Sequence, residues 1–174
     1  MIHTAAAVAV TGALVAAFAA APALALELFI PGEQIGAVRL GHTLAQVKAE
    51  LGEPVREVVR TVGSVERRVM SFGRIPDRVC PRASRPCPRI VVDVTGSSVV
   101  AVQTRSTRYR TSGGVGVGST QAQFAAAIPG LTCRRVPGRY VYCTNGDAHS
   151  TARTQAWLSL PSGRAYLIGV RRAP

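Results

Sequence analysis

The chain has 174 residues, a formal net charge of +12 and only 5% aromatic residues. Its basic side chains are twenty arginines and one lysine against nine acids. A chain this basic is drawn to anionic envelope polymers or lipid head groups, and to nucleic acid if it meets any. The aromatics are too few for a stacking platform that tracks single strands, so nucleic acid is disfavoured as a partner.

From Thr4 to Leu26 no side chain is charged, and alanine, valine and leucine dominate. Pro22-Ala-Leu-Ala25 ends this run with the small-x-small pattern of a signal peptidase site. Residues 1–25 are therefore expected to be a signal peptide, cut after Ala25. The run is nearly long enough to span a bilayer, and an uncleaved anchor is the alternative. No later stretch is apolar enough to cross, so the mature part is expected to be water-soluble, and the signal segment places it outside the cell or in the periplasm or cell envelope. It has the size of one ordinary domain or two very small ones.

Two segments of the mature part match each other. Val38-Arg-Leu-Gly41-His-Thr43-Leu-Ala-Gln46-Val47 through Leu51 aligns without a gap on Val115-Gly-Val-Gly118-Ser-Thr120-Gln-Ala-Gln123-Phe124 through Ile128. Both have Thr-x-x-Gln, a capping box in which the Thr hydroxyl and the Gln side chain satisfy first-turn amides reciprocally. Val47 and Leu51 lie one helical turn apart, as do Phe124 and Ile128, so each helix of about ten residues presents one apolar stripe. Gly52 and Pro54 stop the first, and Pro129-Gly130 stops the second.

Short alternating runs separated by Gly/Pro turns follow each helix and read as hairpins. After the first come Arg56–Val62 with Glu66–Phe72, then Arg89–Val94 with Val99–Thr104. After the second come Thr132–Val136 with Tyr140–Thr144, then Ala156–Leu160 with Ala165–Val170. The expected fold class is α+β: two tandem αββββ units, residues 26–110 and 111–174, with short helices packed on an antiparallel sheet. The first unit carries 14 basic and 8 acidic groups and the second 7 and 1, so the second is the acid-poor surface. Gly113–Gly118 lacks the spacing of a phosphate or dinucleotide loop and reads as a flexible lead-in to the second helix.

The four cysteines, Cys80, Cys87, Cys133 and Cys143, suit disulfides in an exported chain, and their separations do not fit a zinc knuckle. Of three connectivities, the two local pairs are favoured. With Gly138 at the turn centre, Cys133 falls opposite Cys143, Arg134 opposite Tyr142 and Val136 opposite Tyr140. Arg134, Tyr140 and Tyr142 then form a cationic-aromatic patch of the kind enriched at interfaces. Arg108 and Arg110 form a second candidate, sharing a face if residues 105–110 are extended.

The segment from Ile35 to Pro54 resembles the helix motif of small outer-membrane assembly lipoproteins (the SmpA/OmlA family), which pack a helical segment on a short antiparallel sheet. The resemblance covers about 20 residues in the first copy and 15 in the second, and the chain lacks those proteins' lipidated cysteine. A tandem pair of such units is similar in plan to secreted beta-lactamase inhibitor proteins, which bind through a concave sheet. No contact residue is carried over from either.

Chemistry-bearing constellations are thin. Asp147, His149 and Ser150 are loop neighbours, and a nucleophilic triad needs members that converge in space. His42 sits beside a helix cap. Asp93 lies in an apolar strand, where pairing with a neighbouring strand's arginine is its expected role. No metal or cofactor is implied. The expected function is a non-catalytic exported binding protein that recognises a protein or anionic polymer through a basic sheet surface. A secreted enzyme inhibitor is the alternative within binding, and a small secreted hydrolase is the rival of a different class.

Overall fold

The computed structural model describes residues 28–75, 87–146 and 150–173. The expected signal peptide, Cys80, Asp147 and His149 lie outside the described residues. Three two-residue strands, β1 (Phe29–Ile30), β2 (Gln34–Ile35) and β3 (Val38–Arg39), precede helix α1 (Leu44–Leu51). They pair in that order as a small antiparallel sheet. Strands β4 (Arg56–Val62), β5 (Val65–Phe72), β6 (Ile90–Thr95) and β7 (Ser98–Thr104) follow. Helix α2 (Gln121–Ala127) then leads to β8 (Thr132–Val136), β9 (Tyr140–Thr144), β10 (Ala152–Ser159) and β11 (Ala165–Arg172).

The last eight strands form one antiparallel sheet in the order β4-β5-β6-β7-β11-β10-β9-β8. The strands after α1 make one half and those after α2 the other, joined where β7 pairs with β11 at Val102↔Val170 and Gln103↔Gly169. The architecture is thus α+β and dominated by its sheet, with two short helices.

Both helices begin as the Thr-x-x-Gln pattern dictates. Thr43 and Thr120 are extended N-caps, and each threonine amide donates to the glutamine three residues on, at 2.8 Å in both. The helices are shorter than the expected ten residues. Gly52 closes α1 at φ 76°, where its amide still donates to Lys48 O. Ile128 closes α2 one residue before Pro129 at φ −123°, ψ 103°, because the proline ring pushes the preceding residue out of the helical region. Behind both caps the backbone runs alike. Gly41 N donates to Val99 O and Val99 N to His42 O; Gly118 N donates to Ala165 O and Ala165 N to Ser119 O.

Side chains alternate across a strand, so the register fixes two sheet faces. One row runs Phe72, Ile90, Thr104, Ile168, Ala156, Cys143 and Cys133 across seven strands. Its apolar members share one hydrophobic cluster with Val47 of α1, Phe124 of α2, and Phe29, Ile35 and Val38 of the small sheet. That is the core, and both helix anchors are fully buried. The next row, Ser71, Val91, Gln103, Gly169, Gln155 and Thr144, faces the other way, and none of it belongs to the cluster.

Strand β10 begins four residues before the expected Ala156. Ala152-Arg-Thr-Gln155 is too polar to signal a strand by hydrophobic pattern, yet Thr154 is fully buried opposite Val170. Residues 105–110 are not extended as expected. A turn at 107–108 intervenes, so Arg108 and Arg110 do not share a strand face. The Arg110 guanidinium instead donates to Gly114 O at 2.8 Å and Val117 O at 3.3 Å. The glycine-rich lead-in to α2 is likewise built in rather than loose. Val115 and Val117 are buried, and a Cβ on Gly116 would stand 2.4 Å from Tyr109 O. Asp93 meets its expectation: it is buried and takes a bidentate ion pair from Arg67 on β5, with Arg67 Nε at 3.0 and 3.1 Å. That pair holds the Arg67 guanidinium above its ordinary pKa, by the hydrogen bond first and by charge attraction second.

Candidate sheet-face binding site

The Cys133–Cys143 disulfide closes the β8–β9 hairpin, and the two residues are ladder partners. The hairpin register follows from that crosslink and the tight turn at Gly138, whose φ is 67°. Arg134 therefore lies opposite Tyr142 and Val136 opposite Tyr140, as the sequence implies. Cys87 is also disulfide-bonded.

Pairing of β9 with β10 adds what the hairpin alone lacks. Trp157 is the ladder partner of Tyr142, and Leu167 on β11 is the partner of Trp157. The Arg134 guanidinium carbon stands 5.5 Å from the Tyr142 ring centre. Tyr142 and Trp157 pack at 5.4 Å between centres with planes tilted by 55°. Such tilted contacts and cation–π pairs favour one another through the ring quadrupole. Gln155 Nε2 donates to the Tyr142 hydroxyl at 2.6 Å, which fixes that ring's direction. Trp157 reaches over Gly169: a Cβ there would meet the indole at 3.7 Å, Gln103 Cγ at 3.0 Å and Val102 O at 3.1 Å. The missing side chain at 169 is what lets an indole and a glutamine close over the middle of the sheet.

Arg105, just beyond β7, stacks on Tyr166 of β11 at 5.2 Å. Burial pulls its guanidinium below the ordinary arginine pKa, only partly opposed by Tyr166. Its Nη1 is buried and makes no hydrogen bond among the described residues. The Tyr166 phenol is pushed above its ordinary value by burial, with Arg105 opposing and Tyr140 adding to the rise. Tyr140, Tyr142, Trp157 and Tyr166 are all half-buried. They thus offer ring surface to solvent while keeping fixed positions.

Of the sequence candidates, Arg134, Tyr140 and Tyr142 are brought together, and Arg108 and Arg110 lie outside this cluster's geometry. Trp157, Tyr166, Arg105 and Gly169 are the members that hairpin reasoning missed. Alternation along Ala156-Trp157-Leu158 places Trp157 off the core, but only the order of strands in the sheet sets it beside Tyr142. Among the described residues no three His, Cys, Asp or Glu side chains are grouped as metal ligands would be, and no helix is long and apolar enough to cross a membrane.

No family model matches the chain, and no curated protein matches it. Among solved structures it is similar to the uncharacterized protein yfeY from Escherichia coli, with a TM-score of 0.48 and 13% identity over 83% of this chain and 98% of that one. It is also similar to an extracellular SCP-domain protein from Bacillus anthracis, with a TM-score of 0.46 and 10% identity over 76% of this chain and 44% of that one. A candidate beta-lactamase inhibitor protein from Streptococcus mutans has a TM-score of 0.32 and 12% identity over 72% of this chain and 79% of that one. At these scores none carries a functional argument.

Proposed function

We propose that the chain is an exported, non-catalytic binding protein whose recognition surface is the sheet face opposite the helices. The observation that carries this reading is the run Arg134–Tyr142–Trp157, flanked by Tyr140, Tyr166 and Arg105, on a face that the hydrophobic core does not use. Tyrosine, tryptophan and arginine are the residues that dominate binding energy at interfaces. Here they are held in place by packing and by the Gln155–Tyr142 hydrogen bond, so little freedom is lost on binding.

The same reading takes the two halves as copies of one αββββ unit, 26–110 and 111–174, joined through β7 and β11. It is supported by the matching capping boxes and by the matching hydrogen bonds behind them. The partner is a protein of the envelope or extracellular space, and an enzyme blocked by this face is one form of it. Disulfide bonding suits an oxidising compartment.

The test is co-sedimentation of the mature protein with isolated cell envelope over a salt series. A protein partner gives binding that persists at high salt and is lost in Tyr142→Ala/Trp157→Ala but kept in Arg139→Ala. Binding that vanishes steeply with salt and responds equally to all three changes means a polyanion held by scattered arginines, and removes the sheet face from the account.

A further inference from the structure

We propose that Arg105, seated on Tyr166 beside the aromatic run, is a subsite for one carboxylate, and that the partner is a protein segment presenting an acidic side chain to it. The proposal rests on the sheet face being the recognition surface. Its first ground is a polar atom without a partner: Arg105 Nη1 is buried and makes no hydrogen bond among the described residues. A buried donor left unmade is costly, so it marks a place where an acceptor is expected to arrive.

The second ground is where the acids are. Asp93 is committed to Arg67, Glu57 and Glu66 to Arg68, and Glu53 to Lys48. The whole stretch from Thr111 to the end carries one acid, Asp147, against seven arginines. The third ground is geometry. The Arg105 guanidinium carbon stands 5.2 Å from the Tyr166 ring centre, and the forked N–H groups of a guanidinium suit a planar acceptor such as a carboxylate. A single half-buried cation among rings suits one desolvated anion. A polyanion chain would instead engage the exposed arginines, among them Arg134, Arg135, Arg171 and Arg172.

Trp157 is the chain's one tryptophan and lies on the same face, on the far side of β11 from Arg105, about 10 Å away at the usual strand spacing. Its emission therefore reports the site. The disulfide-bonded protein is titrated with a capped glutamate-rich hexapeptide, with its glutamine counterpart and with inorganic phosphate. The expected result is a saturable change with the glutamate peptide alone, about tenfold or more weaker in Arg105→Gln and only partly restored in Arg105→Lys, which keeps the charge but not the fork. Equal affinity in Arg105→Gln, an equal response to the glutamine peptide or to phosphate, or no response at all overturns the proposal. Tyr166→Leu, which removes the seat and leaves the charge, replaces Arg105→Gln should that variant not fold. Envelope co-sedimentation of the same variants separates the two readings. If Tyr142→Ala/Trp157→Ala abolishes binding and Arg105→Gln does not, the subsite falls and the sheet face stands. If neither change matters, both fall.

Discussion

Replacing Cys133 and Cys143 together by alanine removes the covalent tie across the edge hairpin that presents Arg134 and Tyr142. The two are separated by ten positions in the chain, and closing a loop of that size constrains the unfolded chain by about 2.7 kcal/mol in the entropy model. For a domain of this size that corresponds to a melting point lower by about 5–11 °C. Alanine is chosen at both positions because Cys143 is fully buried in the core, where a serine hydroxyl would add a separate penalty. Thermal unfolding followed by Trp157 emission reads the effect directly, since β10 is the next strand after the hairpin. Amide exchange should rise first in β8 and β9, while β5–β7, which lie on the other side of the β7–β11 junction, keep their protection. A variant that melts within about 2 °C of wild type, with β8 and β9 still protected, would refute the reasoning.

Other outcomes follow from the same geometry. Gly169→Val places a Cβ 3.0 Å from Gln103 Cγ and 3.1 Å from the Val102 carbonyl. It should cost about 1–3 kcal/mol by overpacking and shift Trp157 emission to the red as the indole is lifted off β11, measured by denaturant titration and emission spectra. Phe124→Ala empties a fully buried position between α2 and the sheet and should cost about 3–5 kcal/mol by urea denaturation. Thr120→Ala, which removes only the cap of the same helix, should cost about 1 kcal/mol in that assay. Because burial raises the Tyr166 phenol above its ordinary value, the unfolded chain ionises it first. The associated stability is present below pH 10 and is lost as pH rises through the folded value. Urea midpoints of wild type should therefore fall more steeply than those of Tyr166→Phe above pH 10, and parallel slopes would contradict the placement of that ring.

Local chemistry was legible in the sequence wherever one residue's partner lay within a turn or a hairpin. Thr43 and Gln46, Thr120 and Gln123, and Cys133 opposite Cys143 are all decided within about ten residues. Their spacing alone fixes caps, register and the Arg134–Tyr142 pair. Asp93 was legible for a related reason, since a carboxylate in a run of valines must find a cation on an adjacent strand. What escaped depends on contacts distant in sequence. The pairing of β7 with β11, which sets Arg105 on Tyr166, joins residues about 65–70 apart, such as Thr104 with Ile168, and no periodicity signals it. The start of β10 escaped because its contacts lie on a strand about ten residues away: Thr144 Oγ1 of β9 donates to Thr154 O, and Gln155 Nε2 donates to the Tyr142 hydroxyl of β9. The tiny strands β1–β3 are too short to alternate, and they exist because Phe29, Ile35 and Val38 close the core.

Position-specific photo-cross-linking tests the central claim most directly. A benzoylphenylalanine is placed at 142 or 157 on the open face, or at 59 on the exposed part of β4, and each protein is irradiated with cell envelope. The account predicts one adduct of the same mass from 142 and 157 and none from 59. Adducts from 59 alone, or no adduct from the open face while the protein still co-sediments, would contradict it.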